Sequence, residues 1–182
     1  MRVGADCIRQ IVLLLRNFSC LDESEIKRVD IHSGIDSTLL ILQHRLQNNS
    51  KHSEIAIIQK YGQLPLVNCY ASALNQAFMN IINNAIDALE SSDTNRQATI
   101  IIQTELRESK KVLIRISDNG IGMSKSLQNK IFNPFFTTKL VGSGTGLGLL
   151  TSYSIIVEKH GGLLSCISAP GQGTEFIIEI PV

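Results

Sequence analysis

Apolar residues recur at helical spacing in several stretches of the chain and alternate at strand spacing in others. Ile8, Ile11, Val12, Leu15 and Phe18 fall at i, i+3, i+4 and i+7, which predicts a helix over residues 3–19. Leu21 to Glu25 is a charged break. Lys27 to Ile31 reads as a short strand, and Asp30 is placed to cap the helix that follows, where Ile35, Leu39, Leu42 and Leu46 form one stripe. After the polar turn Asn48 to Ser53, Glu54 to Tyr61 reads as an Ile-rich strand. The longest periodic pattern predicts a helix over residues 70–90, followed by a loop over 91–97. Ala98 to Leu106 and Lys111 to Asp118 read as antiparallel strands joined by Arg107 to Lys110. Residues 119–146 carry glycines and at most short helices. Leu147 to His160 reads as a helix closed by Gly161 and Gly162, with Lys159 and His160 suited to its negative end. Leu163 to Ser168 and Thr174 to Ile180 are strands flanking the turn 170–173. Hairpin-connected strands mixed with helices predict an α/β fold with helices on one face of the sheet, not a doubly wound parallel sheet.

Composition narrows the class. Of 182 residues, 43% are hydrophobic and 18% charged, enough for a core and too little charge for a disordered chain. Lys and Arg total 17 against 16 Asp and Glu, a net charge of +1. That balance argues against a nucleic-acid or polybasic membrane binder. The early apolar run Ile11 to Leu15 stops at Arg16, far short of the roughly 20 residues a membrane span needs. Asp6 and Arg9 interrupt any signal-peptide pattern. The four cysteines, Cys7, Cys20, Cys69 and Cys166, are widely separated, which fits reduced, packed thiols rather than a metal or redox pair. A cytoplasmic location is expected.

Four segments carry candidate chemistry. On the helix over 70–90, Leu74, Ala77, Phe78, Ile81, Ile82, Ala85 and Leu89 share one side. Asn80, Asn84 and Asp87 lie nearly opposite, with Gln76 close by. A solvated helix face favours Lys and Glu, because Asn is a poor helix former, so two Asn one turn apart require a reason. An amide oxygen is a hard, neutral ligand suited to Mg²⁺. In Val112 to Met123 the alternation puts Val112, Ile114, Ile116 and Asp118 on one face. Asp118 thus ends a buried strand face, either as a turn former in Asp118-Asn119-Gly120 or as an acceptor for a ligand donor such as an exocyclic amine. Gly120 and Gly122 allow close approach of a flat ring. Glycines at 142, 144, 146 and 148 match neither the P-loop nor the dinucleotide fingerprint, yet lead into a helix start, where backbone amides can surround phosphate. Between them Phe132, Phe135 and Phe136 are placed to anchor a lid, from which Lys139 can reach a phosphate.

The order of these segments resembles the N, G1, F, G2 and G3 boxes of the ATP-binding domain of sensor histidine kinases, in the GHKL superfamily. The last box is Gly171-Gln172-Gly173-Thr174-Glu175-Phe176, and the resemblance covers roughly residues 27–182. It implies a two-layer α/β sandwich of Bergerat type, with a mixed, mostly antiparallel sheet, helices on one face and an additional N-terminal helix. It implies ATP and Mg²⁺ as cofactors. Asn84 is the implied Mg²⁺ ligand, with Asn80 one turn earlier and Asp87 one turn later on the nucleotide side. Asp118 is the acceptor of the adenine amino group, and Gly120, Gly122 and Thr174 surround the base. Gly144, Gly146, Leu147 and Gly148, with Lys139, lie around the phosphates.

The resemblance also ranks activities. ATP-hydrolysing members of the superfamily carry a water-activating Glu where this chain has Asn80, so a histidine kinase is favoured over a hydrolase. The alternatives are a non-catalytic nucleotide-binding interaction module and a serine kinase of anti-sigma type. None of His32, His44, His52 or His160 has the sequence context of the family's phosphoacceptor. Residues 1–25 resemble the second helix of the dimerisation and phosphotransfer domain, and residues 26–182 the catalytic domain. A phosphoacceptor His domain, in trans or elsewhere in a longer chain, and a response regulator are the implied partners. Self-association through residues 3–19 is a further expectation.

Overall fold

Ile100 and Ile102, then Val112, Ile114 and Ile116, recur at every second position and set the centre of the fold, because they give two long strands with one apolar face in common. The computed structural model describes residues 25–47, 54–92, 96–107, 110–138 and 145–182. Strands β4 (Thr99–Arg107) and β5 (Lys111–Asp118) pair antiparallel, placing Ile102 opposite Ile116 and Ile100 opposite Asp118. Here β1 is Lys27–Val29, β2 Ala56–Tyr61, β3 Val67–Cys69, β6 Leu163–Ala169 and β7 Gly173–Pro181. The main sheet has the order β2-β4-β5-β7-β6, with β2 parallel to β4 and every other pair antiparallel. The expected mixed, mostly antiparallel sheet is therefore present.

The apolar face of this sheet is covered by helix α1 (Ile31–Gln47) and helix α2 (Ala71–Glu90). Ile100, Ile102, Ile114, Ile116 and Ile178 meet Phe78, Ile81, Ile82 and Ile86 of α2, all essentially inaccessible to solvent. Burial of such side chains supplies about 1.5–3 kcal/mol each and is the main stabilising contribution. On α1 the stripe Ile35, Leu42 and Leu46 is buried and Leu39 partly so. The Asp30 carboxylate accepts the His32 backbone N–H at 2.9 Å, so it caps α1 as expected.

Three features depart from the sequence reading. β1 stops at Val29, because Ile31 already begins α1. β3 pairs antiparallel with β1 as a separate two-stranded ribbon; three residues are too short to show a period. The helix expected over 147–160 is α-helical only as α4 (Gly148–Tyr153) and continues as a π-helix over Ser154–Lys159. Between β5 and α4 lies the single-turn helix α3 (Lys125–Gln128). The helix expected over 3–19, with Cys7 and Cys20, lies outside the described residues, as does His52. Cys69 is buried and Cys166 half-buried, both unpaired, and burial pushes each thiol up to about 11. Among the described residues, no helix is long and apolar enough to cross a membrane.

Candidate nucleotide-binding site

The polar side of α2 divides into two stripes with different tasks. Asn83, Asp87 and Glu90 face α1, where the Arg45 guanidinium donates to Asn83 Oδ1 at 2.9 Å, Asp87 Oδ1 at 2.8 Å and Glu90 Oε2 at 2.9 Å. Those pairs hold the Arg45 charge more firmly, against the opposing effect of its burial. Asp87, expected beside the nucleotide, thus has Arg45 as a direct partner in the helix–helix seam.

Asn80, Asn84 and Ala88 form the adjacent stripe, one turn apart from each other. Asn80 Nδ2 donates to the Gly148 carbonyl at 3.0 Å, at the start of α4, and lies 3.4 Å from Ser152 Oγ. At the other end, the Ala88 carbonyl accepts the Ile121 N–H at 3.4 Å. A Cβ on Gly120 would lie 2.7 Å from the Ala88 carbonyl carbon, so only glycine permits this approach. Asn84 sits between those two anchors, and its side chain makes no hydrogen bond among the described residues. Its amide oxygen is left available, which fits a neutral ligand for a hard cation. Among the described residues no cluster of three His, Cys, Asp or Glu exists, so a cation here would rely on ligand phosphates and water.

Asp118 closes the far end of the cleft. It is the last residue of β5, 9% exposed, and one carboxylate oxygen accepts the Gly120 N–H at 2.9 Å. Burial pushes its carboxyl up to about 6, opposed by backbone N–H groups of Gly120 and Thr174. The register makes Asp118 a direct cross-strand neighbour of Thr174, and Thr174 of Ser168. These three polar side chains form one row across β5, β7 and β6 on the helix-covered face. Asn119 fixes the loop after β5: its Oδ1 accepts the Thr99 N–H at 2.8 Å and its Nδ2 donates to the Gln97 carbonyl at 2.9 Å. Gly122 packs against the Ala169 and Gly173 carbonyls, and Gly171 donates to Ile121 at 2.7 Å, so the loop and the β6–β7 turn brace each other.

The third wall begins with the phenylalanines. Phe132 and Phe136 are partly buried, Phe132 stacking obliquely on Tyr153 at 5.5 Å, whereas Phe135 is 74% exposed. Gly146 has φ +66° and packs on the Phe135 backbone, which ties the phenylalanine segment to the helix start. Leu147 and Gly148 follow directly, and Gly148 meets the Asn80 side chain. Lys139 and Gly144 lie outside the described residues.

Of the sequence-singled residues, the structure therefore joins Asn80 to Gly148, which Gly146 and Leu147 precede, and brings Asp118, Gly120, Gly122 and Thr174 together beside Ala88, with Asn84 between the two groups on α2. Arg45 and Ser168 escaped the sequence reading, and His160, read there as suited to a helix's negative end, has a second task. His160 Nδ1 bonds to the Ile155 carbonyl at 2.6 Å while Nε2 accepts the Tyr70 N–H at 3.0 Å, which joins the π-helix to the start of α2. Burial first, then Lys159, lowers its pKa, against the bond to Ile155. The only available signal for Ser168 was its position across the hairpin turn from Thr174.

Known proteins are similar to this chain in sequence and in fold. The family model for histidine kinase-, DNA gyrase B-, and HSP90-like ATPases matches residues 69–182. The signal transduction histidine-protein kinase AtoS of Escherichia coli is 34% identical over 178 residues, 97% of this chain and 27% of that protein. Sporulation kinase E of Bacillus subtilis is 38% identical over 119 residues, 65% of this chain and 15% of that protein. The chain thus spans about a quarter or less of these curated relatives. Among solved structures, the catalytic domain of histidine kinase ThkA, in a nucleotide-free form, superposes with a TM-score of 0.71 at 28% identity. That match covers 86% of this chain and 95% of the ThkA chain. With the family model spanning more than half of its length, the chain belongs to the histidine kinase-, DNA gyrase B-, and HSP90-like ATPase family.

Proposed function

We propose that residues 26–182 bind Mg²⁺–ATP and donate its γ-phosphoryl group to a histidine presented by a separate helical domain, with a response regulator as the onward acceptor. The observation that carries this reading is the available Asn84 amide between Asn80, bonded to Gly148, and Ala88, bonded to Ile121. One side of that stripe is the glycine-rich helix start, suited to phosphates. The other is buried Asp118, suited to an adenine amino group. In this arrangement Asp118, Gly120, Gly122 and Thr174 hold the base. Asn84 and the bound phosphates hold Mg²⁺, and Lys139, Gly144, Gly146, Leu147 and Gly148 enclose the phosphates. Asp87 acts at a distance, through its pair with Arg45.

Transfer rather than hydrolysis follows from Asn80. A side-chain amide cannot take a proton from water, and this one is committed to the Gly148 carbonyl. Phosphoryl transfer then depends on positioning, the cation and an incoming nucleophile. An acceptor imidazole nitrogen attacks the γ-phosphorus and ADP leaves. Of the three described histidines, His44 is exposed on α1 and lacks the acceptor's sequence context, and the other two are engaged: both ring nitrogens of His160 are bonded. His32 stacks on Tyr61 and is bonded to Thr104.

The test is to incubate the chain with γ-labelled ATP and Mg²⁺, alone and with a separately produced phosphotransfer domain from a histidine kinase. Acid-labile label on the added domain, and none on the chain, is the expected result. Label on the chain itself would contradict transfer in trans. ATP binding without transfer to any supplied domain would favour the interaction-module reading. Removing Mg²⁺ with a chelator is expected to weaken ATP binding by roughly tenfold or more.

A further inference from the structure

The row Asp118–Thr174–Ser168 has a direction. Ser168 Oγ lies 2.8 Å from the Gly173 carbonyl, to which it donates its single proton. It accepts the Met123 N–H at 2.8 Å and lies 2.9 Å from Thr174 Oγ1. With the Ser168 proton committed to Gly173, the contact with Thr174 is satisfied only if the Thr174 hydroxyl donates to Ser168. Gln128 Nε2 holds Ser168 in place by donating to its carbonyl at 2.7 Å and to the Met123 carbonyl at 3.1 Å. The protons therefore run Thr174 to Ser168 to Gly173, away from Asp118. Thr174 is left with only lone pairs to offer a ligand, beside a carboxylate that also only accepts when ionised.

The geometry points to Ser168 as a positioning residue that sets base specificity: by taking the Thr174 proton it makes the base pocket an acceptor-only surface, which admits an exocyclic amine and rejects an oxo group. This goes one step beyond the adenine site proposed above and rests on it. A 6-amino purine brings two N–H donors to that surface. A 6-oxo purine puts lone pairs against lone pairs at that position, its one edge donor lying on ring N1 instead, and a buried polar group left unpaired is costly. Without Ser168, the Thr174 hydroxyl is free to rotate and donate to an oxo group.

The experiment compares the affinities of ATP and inosine triphosphate for the chain in Mg²⁺, by calorimetry. The wild type is expected to prefer ATP by roughly tenfold to a hundredfold. Ser168→Ala is expected to reduce that preference by about tenfold, mainly by improved binding of inosine triphosphate. Ser168→Thr, which keeps the acceptor hydroxyl, restores it. In a Thr174→Val background, Ser168→Ala leaves the ratio unchanged, because no hydroxyl remains to turn. Equal weakening of both nucleotides by Ser168→Ala, with the ratio intact, would overturn the proposal and leave the adenine site standing. Failure of the wild type to bind either nucleotide would overturn both. If the alanine variant does not fold, Ser168→Cys reads the same ratio: a fall supports the proposal, and an unchanged ratio overturns it.

Discussion

The Asn80 side-chain amide donates to the Gly148 carbonyl at 3.0 Å, so a residue in the middle of α2 holds the first turn of α4. This bond joins the helix that carries Asn84 to the segment that follows the glycine run. It also explains why a weak helix former is present at this position: the amide supplies a donor that Ala, Leu or Glu lacks.

Replacing Asn80 by Ala removes that donor and is expected to loosen α4 more than it destabilises the whole domain. Backbone amides of residues 148–153 should exchange hydrogen faster than in the wild type, with a global loss of about 1 kcal/mol. Asn80→Asp should do more harm than Asn80→Ala, since a carboxylate would face the Gly148 carbonyl. Unchanged exchange over 148–153 in both variants would contradict the clasp.

Asp118 carries opposing effects on stability and binding. Its folded-state carboxyl sits at about 6, above the ordinary value of 3.8, so the folded chain binds a proton more tightly than the unfolded chain. Its contribution to stability therefore falls as pH rises from about 4 to 6, and the penalty is complete above 6. Asp118→Asn should stabilise the nucleotide-free chain at pH 7.5, by about 1–3 kcal/mol, and raise its melting temperature. Wild-type ATP affinity should weaken as pH drops below 6, where the carboxylate is lost, and the Asp118→Asn variant should lack this component. A lower melting temperature in the variant would count against a strained buried carboxylate.

Arg45 joins α1 to the stripe of α2 next to the proposed cation ligand. Arg45→Ala is expected to cost about 1 kcal/mol of stability, because the network is partly solvated, and to lower ATP affinity several-fold by freeing α2. Arg45→Lys should recover only part of both effects, since a single ammonium cannot span Asn83, Asp87 and Glu90 as the guanidinium fork does. Parallel urea melts and ATP titrations measure the two losses.

His160 should show the opposite pH dependence to Asp118. Its pKa lies below the ordinary 6.5, so the stability it provides is present above 6.5 and is lost as pH falls through its folded-state value. Protonation would give Nε2 a proton facing the Tyr70 N–H, beside Lys159, whose ammonium lies 4.2 Å over the Tyr70 ring. His160→Ala should be less stable than wild type by about 1–3 kcal/mol at pH 7.5, with the gap narrowing at pH 5. A gap that is constant across this range would rule out the neutral, doubly bonded imidazole.

Much of the architecture was legible because periodicity reports burial. The alternation of Val112, Ile114, Ile116 and Asp118 placed that carboxylate at the buried end of a strand, and it is there. The stripe of α2 read from Leu74 to Leu89 faces the sheet. Periodicity could not reveal β3, which is too short, or the π-helix, whose wider turns keep nearly the same apolar spacing over Ile155 and Ile156. It also could not show which polar residues find partners. Asp87 and Asn84 looked alike as members of one polar face, yet Arg45, 42 positions from Asp87 in sequence, meets only the former. Ser168 was hidden for the same reason: its role depends on Gly173, Thr174 and Met123 converging on one hydroxyl.

The central claim is that the cleft between Asn84 and Asp118 holds Mg²⁺–ATP with its adenine on Asp118. Calorimetric titration of Mg²⁺–ATP into the wild type and into Asp118→Asn at pH 7.5 tests it most directly. The predicted result is saturable binding of one ATP per chain to the wild type and an affinity at least about tenfold weaker in the variant. Equal affinities in the two, or no binding heat from the folded wild type, would contradict it.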